Sequence, residues 1–316
     1  MRFARLVGYV ILAISSAYFF AALARHANAL PPIAWNHVTL AVVTFCMGLY
    51  LAQVSAAGLA WHYWLRAARE GSHPALAVSL FAVSQFAKYV PGGIAQHIAR
   101  VALGERHGLS RTGLIFTIAL EQSWALVAGV VVALTVTFFV GSIPDGISLP
   151  SPFRLAVLIA LALMLPPAIL WLGGRHRPSF LDRWLGAWRA THPNAGTVVV
   201  CFLLYAVGFA SSGWSIDLIA RYMLGANESH AVLSISVFAV AWVAGFVTLV
   251  SPAGLGVREA VLLAGLTPAY GPGIALAAAV SHRVVTCLGD GLAFLLGLLM
   301  EKRLRRTNRV KDGRSG

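Results

Sequence analysis

The 316-residue sequence predicts an all-α, polytopic membrane protein: two inverted repeats, each of three transmembrane helices plus one re-entrant (broken) hairpin. Three observations predict it. First, 59% of residues are hydrophobic and only 11% are charged, and apolar runs of about 18 or more residues recur, each long enough to cross a hydrocarbon core. Nothing alternates with the period of a membrane barrel strand. Second, apolar segments in matching places of the two halves are each broken at a proline-glycine step, Lys88-Tyr-Val-Pro91-Gly92-Gly93 and Val250-Ser-Pro252-Ala-Gly254-Leu-Gly256. Pro91 precedes Glu121 by about as far as Pro252 precedes Arg283. Such paired interruptions point to a transporter's substrate site near the bilayer midplane. Third, the basic residues segregate among the loops, as the positive-inside rule requires.

The elements follow in order. Spanning helices are expected near 6–24, 38–60, 112–139, 154–173, 197–219 and 273–299. Broken segments are expected near 75–103 and 231–268, although 231–250 alone is long enough to span, with 257–268 a short helix of its own. The N-terminal run resembles a signal peptide but is too long for one and reads as a retained first span. Arg2 and Arg5, the loops 61–74, 100–111 and 174–196, and the tail from 301 carry eighteen Lys and Arg, against three (Arg25, Arg154, Arg221) in the other connections. That places both termini in the cytoplasm. Loops 61–74 and 100–111 then share one side, so the segment between them enters and returns. Residues 231–268 must do the same from the other face. One transmembrane domain (1–300) results, with repeat one about 1–140 and repeat two about 150–300. The basic cytoplasmic tail is 301–316, of which 303–316 reads as a disordered stretch near anionic lipid, and 178–192 reads as an amphipathic helix on the inner leaflet.

A net charge of +13 raises nucleic acid as a partner, but its confinement to short loops and the tail excludes that reading. Cys46, Cys201 and Cys287 lie in apolar segments and read as small buried hydrophobes. His97 and His282 show no ligand spacing and read as core or interface histidines, so no metal and no cofactor is expected. Trp61-His-Tyr63-Trp64 reads as an interfacial aromatic belt.

Ionisable residues inside apolar segments are costly and usually face a cavity. They are Lys88, Glu121, Asp217, Arg258, Glu259, Arg283 and Asp290, with Arg100 near the inner surface. Glu121 lies roughly 13 Å into its helix and Arg283 roughly 15 Å. Both are near mid-depth at equivalent points of the repeats, which makes them candidates for one ion pair. Such a pair either gates cargo or only ties two helices together. Asp290 shares a helical face with Arg283, and Gly289 and Gly291 beside it permit close approach of another backbone. Asp217 reads as solvated or paired with Arg221, and Arg100 as a site residue or an inner-surface anchor.

After Pro91-Gly92-Gly93 and after Gly254-Leu-Gly256, short helices begin. Their N-termini point inward and make anion sites. With Lys88, Arg258, Arg100 and Glu259 nearby, these tips form the expected substrate site. Glu121, Arg283 and Asp290 are the expected gate or coupling residues.

The pieces Gln85-Phe-Ala-Lys88-Tyr-Val-Pro91-Gly92-Gly93, Glu121-Gln122, Ser251-Pro252-Ala-Gly254-Leu-Gly256-Val-Arg258-Glu259, and Arg283 with Asp290 resemble the lysylphosphatidylglycerol synthase transmembrane (flippase-like) family over roughly residues 1–300. The resemblance implies a protein of the bacterial inner membrane that moves lipid between leaflets. It implies no enzyme activity of its own, because these 316 residues hold no counterpart of the aminoacyltransferase domain of two-part members. The expected cargo is an anionic phospholipid or a polyprenyl-phosphate-linked lipid, and a lipid-modifying enzyme is a candidate partner. No nucleotide-binding loop is present, so ATP is not the expected driver. Two other functions compete: an ion-coupled carrier of a small soluble anion, and a membrane enzyme acting on lipid-linked substrates. The outer loops offer an enzyme only isolated Asp145 and Glu228. A non-catalytic scaffold would leave the doubled motif without a reason.

Overall fold

The computed structural model describes residues 31–90, 94–140, 164–171, 193–247 and 256–312. They form α1 (His37–Ala67), α2 (Pro74–Gln85) continued by a 3-10 turn (Phe86–Tyr89), α3 (Ala95–Glu105), α4 (Arg111–Val140), α5 (Ala195–Tyr222), α6 (Ala231–Val247) and α7 (Val257–Asp312). Residues 164–171 are also helical. No strand occurs among the described residues. Among the described residues four stretches are long and apolar enough to cross a membrane: His37–Ala67, Arg111–Leu134, Ala195–Tyr222 and Val257–Leu304. They contain the expected spans 38–60, 197–219 and 273–299 and most of 112–139. The expected span 6–24 and the amphipathic segment 178–192 lie outside the described residues, as does most of 154–173.

Local chemistry sets the element ends. Asn36 and Asn194 cap α1 and α5 by accepting from the amides of Thr39 (3.0 Å) and Thr197 (2.6 Å), which satisfies donors a helix start leaves free. His73 caps α2, with Pro74 at the first position, where a missing N–H costs nothing. Inside α7, Gly271 has φ 75° and ψ 159°, flanked by Pro268 and Pro272. That conformation is essentially open to glycine alone, and it divides α7 into a short limb (257–270) and a long one (272–312). The order long helix, two short limbs, long helix therefore occurs twice.

Each pair of limbs is closed at its open end by a carboxylate. Between α1 and α2, Glu70 accepts from the amide (3.0 Å) and hydroxyl of Ser110, just before α4. At the end of α5, Asp217 is 1% exposed and accepts from the His230 amide (2.7 Å), Ser229 (3.0 Å) and Tyr270 (2.6 Å). The sequence reading of Asp217 as solvated or paired with Arg221 is thus corrected. Arg221 lies over the Tyr222 ring, and Asp217 joins the two ends of the second pair of limbs.

Helices α1 and α5 run antiparallel: Cys46 meets the Ser215 carbonyl, and Cys201 meets that of Ala60. The two limb pairs therefore begin at opposite ends of the bundle. Two further expectations are corrected. Trp61 and Trp64 are fully buried and bond to Thr117 (3.3 Å) and Tyr205 (2.8 Å), because the end of α1 is wedged between α4 and α5. They form core, not an interfacial belt; only Tyr63 of that cluster is exposed. The basic tail continues as helix to Asp312 rather than as a disordered stretch from 303. Glu301, itself buried, holds its start 3.5 Å from His107. Large apolar side chains such as Leu40, Val207, Leu295 and Leu299 face outward, a surface suited to lipid.

Candidate functional site

The 3-10 turn that ends α2 runs toward Pro91, and a residue before proline is pushed out of helical geometry; Val90 has ψ 132°. The turn carries Lys88 and Tyr89 to Asp290 on the long limb of α7. Lys88 Nζ lies 2.6 Å from Asp290 Oδ2. Tyr89 donates to Oδ2 and Tyr50, from α1, to Oδ1, each at 2.5 Å, while Lys88 donates to the Tyr50 hydroxyl at 3.0 Å. Asp290 is 0% exposed. Buried carboxylates persist only when so satisfied. The close approach expected beside Asp290 occurs at Gly289, where the Tyr50 ring occupies the space a Cβ would take. Nothing approaches Gly291.

On the opposite wall, Arg100 of α3 is 1% exposed. It meets Glu121 of α4 at 2.6 Å, bonds to Ser84 (3.3 Å), and lies 4.2 Å from the Phe81 ring centroid and 5.1 Å from that of Trp61. Gln122 donates to the other Glu121 oxygen at 2.9 Å. The expected Glu121–Arg283 pair is therefore corrected. Limb α3 carries Arg100 inward from its surface end and delivers it to Glu121, so Arg100 is no surface anchor. Arg283 faces Glu259 at 3.6 Å. Glu259 occupies the third position of the short limb, where a carboxylate reaches back to the helix start. It accepts from the Gly256 amide at 2.8 Å, so both its oxygens are engaged within the protein.

Arg258 differs from all of these. Its side chain lies along Gly245, where an added Cβ would sit 2.8 Å from its Cγ and Nε, and its guanidinium is 5.9 Å from the Trp242 ring centroid. Its Nε is buried without a hydrogen-bond partner. Among the described residues no carboxylate lies within 4.0 Å of it.

Arg258 and Lys88 line one cavity of about 430 Å³, together with Arg100, Glu121, His97 and the carboxamides of Gln53, Gln85, Gln96 and Gln122. That volume falls among small-molecule sites, which span about 300–1,000 Å³. The chain before the first break and the chain after the second therefore meet in one place. Gly256, with φ 83°, heads the short limb; Pro91, Gly92, Gly93 and Gly254 lie outside the described residues. Sequence reasoning missed Tyr50, Tyr89 and the carboxamide wall. The available signal was neutral polar side chains within apolar helices, and Tyr89, Gln85 and Gln122 sat inside the quoted motifs.

A family model described as the lysylphosphatidylglycerol synthase TM region matches residues 5–293, nearly the whole chain. No curated protein matches it.

Proposed function

We propose a function from one premise: the chain belongs to the lysylphosphatidylglycerol synthase TM-region family. It is a flippase-like transporter of the bacterial inner membrane, with both termini cytoplasmic. It moves an anionic phospholipid or a polyprenyl-phosphate-linked lipid between leaflets and catalyses no reaction itself. A lipid-modifying enzyme acts before or after it.

One observation carries this reading. Among the described residues, four cations and three carboxylates line the cavity or pair with groups beside it. Lys88 pairs with Asp290, Arg100 with Glu121, and Arg283 with Glu259, which leaves Arg258 over. A buried cation without a counter-charge is costly, and an anionic headgroup supplies that charge. Arg258 offers it a fork and Lys88 a point charge. Glu121–Arg100 and Asp290–Lys88 act as the gate, each pair staying closed while Arg258 takes the phosphate. Glu259–Arg283 braces Arg258.

The two limb pairs are re-entrant hairpins of inverted repeats, and rocking one repeat against the other alternates access. The antiparallel α1 and α5, and the closing of the limb pairs at opposite ends, support this. So does the charge count, since loop 68–73, loop 106–110, Asn194 and Glu301 gather at one end. The cavity mouth includes Ile94 and Ile115, each at least half exposed. An apolar rim suits an acyl chain and favours lipid over a soluble anion. Among the described residues the one lining carboxylate, Glu121, is held by Arg100, which leaves an enzyme no free carboxylate there.

The test is headgroup accessibility in proteoliposomes. Arg258→Ala and Glu121→Gln each reduce translocation at least tenfold. Unchanged rates in both variants would reject the site, and uptake of a soluble anion without lipid movement would select the carrier.

A further inference from the structure

We infer that the headgroup this cavity selects is a singly charged phosphodiester bearing neutral hydroxyls, and that headgroups carrying an ammonium are turned away. The inference rests on the flippase reading above and narrows its substrate class.

With three ion pairs closed on themselves, Arg258 is the one cation among the described residues of the wall that has no carboxylate within 4.0 Å. A phosphodiester, with one negative charge, neutralises it. A phosphomonoester dianion leaves a charge over.

An ammonium needs a carboxylate, and none is open to it. Among the described residues Glu121 is the only acidic side chain lining the cavity, and Arg100 and Gln122 occupy its oxygens. Asp290 is enclosed by Lys88, Tyr50 and Tyr89. Glu259 is taken by Arg283 and the Gly256 amide. A cationic headgroup would meet Arg258 instead, and unpaired like charges in a desolvated site are how a protein rejects a wrong partner.

The rest of the wall is neutral and two-faced. Gln53, Gln85, Gln96 and Gln122 each present a carboxamide, which donates and accepts as a hydroxyl does. The Gln85 carboxamide makes no hydrogen bond among the described residues. Gln53 uses its oxygen on Ser212 (2.8 Å) and keeps its amide donors. The Nδ1 atom of His97 is buried without a partner. Sites built to bond hydroxyls discriminate strongly against ligands that lack them. Two lipid sources share this chemistry: a phosphatidylglycerol and a polyprenyl phosphohexose.

The experiment uses the full-length protein in phosphatidylcholine vesicles carrying one probe lipid each. Phosphatidylglycerol and polyprenyl phosphohexose present vicinal diols to membrane-impermeant periodate. Phosphatidylethanolamine and lysylphosphatidylglycerol present amines to an impermeant acylating reagent. At least one diol lipid is expected to equilibrate tenfold or more faster than either amine lipid, and which one does so names the source. Gln85→Glu, which adds a carboxylate to the wall, is expected to raise the amine-to-diol rate ratio severalfold. Equal rates for amine and diol lipids overturn the inference and leave the flippase standing. An unchanged ratio in Gln85→Glu overturns it too, by removing wall charge as the cause of selection. If no lipid moves faster than in protein-free vesicles, the flippase reading falls and takes the inference with it.

Discussion

At the scale of single residues, the buried charges divide into those that hold the fold and one that does not. Asp290 is enclosed by three donors and faces Lys88 at 2.6 Å. Removing one member of a buried pair leaves an uncompensated charge and costs about 3–5 kcal/mol, whereas replacing both by apolar groups is far milder. Asp290→Asn is therefore expected to destabilise the protein by about that amount in denaturant unfolding in mild detergent, and Lys88→Met combined with Asp290→Asn to recover most of it. A double variant as unstable as the single one would refute the pairing as the source. Arg258 predicts the reverse. It has no carboxylate partner among the described residues, so Arg258→Gln is expected to leave unfolding unchanged or shift it toward greater stability while translocation is lost. A loss of stability comparable to that of Asp290→Asn would make Arg258 a structural residue. The sequence placed Lys88, Arg258 and Asp290 inside apolar segments but offered only Glu121 with Arg283 as an ion pair, and each of those two faces a different partner. Depth along a helix is legible from residue counts; which partner a side chain faces depends on how limbs such as α3 cross their neighbours, and periodicity does not record that.

At the scale of elements, the breaks were the most legible part. Proline and glycine fix backbone angles locally, so the limb pairs 74–105 and 231–270 emerge within a few residues of the expected 75–103 and 231–268. What sequence did not reveal is the carboxylate at each mouth, because Glu70 and Asp217 look like ordinary loop and helix-end acids until Ser110, His230 and Tyr270 arrive from distant positions. Gly271 isolates the contribution of backbone geometry. Its φ is 75°, yet an added Cβ would meet nothing within 4 Å. Any penalty in Gly271→Ala is therefore conformational rather than steric, about 1–3 kcal/mol. Gly48, in mid-α1, has the same empty surroundings without the unusual angle. Gly48→Ala is expected to gain about 0.5–1 kcal/mol. Denaturant unfolding of the two variants side by side checks the contrast, and equal effects would show that the turn at 271 is not strained by a side chain.

At the scale of the whole molecule, charge asymmetry and packing converge on one grouping of the loops from independent directions. The positive-inside count needs nothing but loops, and it assigns 61–74, 100–111 and the chain end to one side. The packing needs nothing but contacts. Glu70 binds Ser110, His107 meets Glu301, and Ala60 near the end of α1 meets Cys201 near the start of α5. These contacts gather the same segments at one end of the bundle. The connection between α5 and α6, residues 223–230, lies at the other end with the start of α1. Inverted repeats require that difference, and single-cysteine labelling reads it directly. In a background with Cys46 and Cys201 changed to Ala and Cys287 to Ser, Arg69→Cys and Arg106→Cys are expected to react with a membrane-impermeant maleimide only in inside-out vesicles. Asn227→Cys is expected to react in intact spheroplasts. If positions 69, 106 and 227 all label from the same side, the two limb pairs enter from one face. The alternation of access then loses its structural basis, whatever the cavity binds.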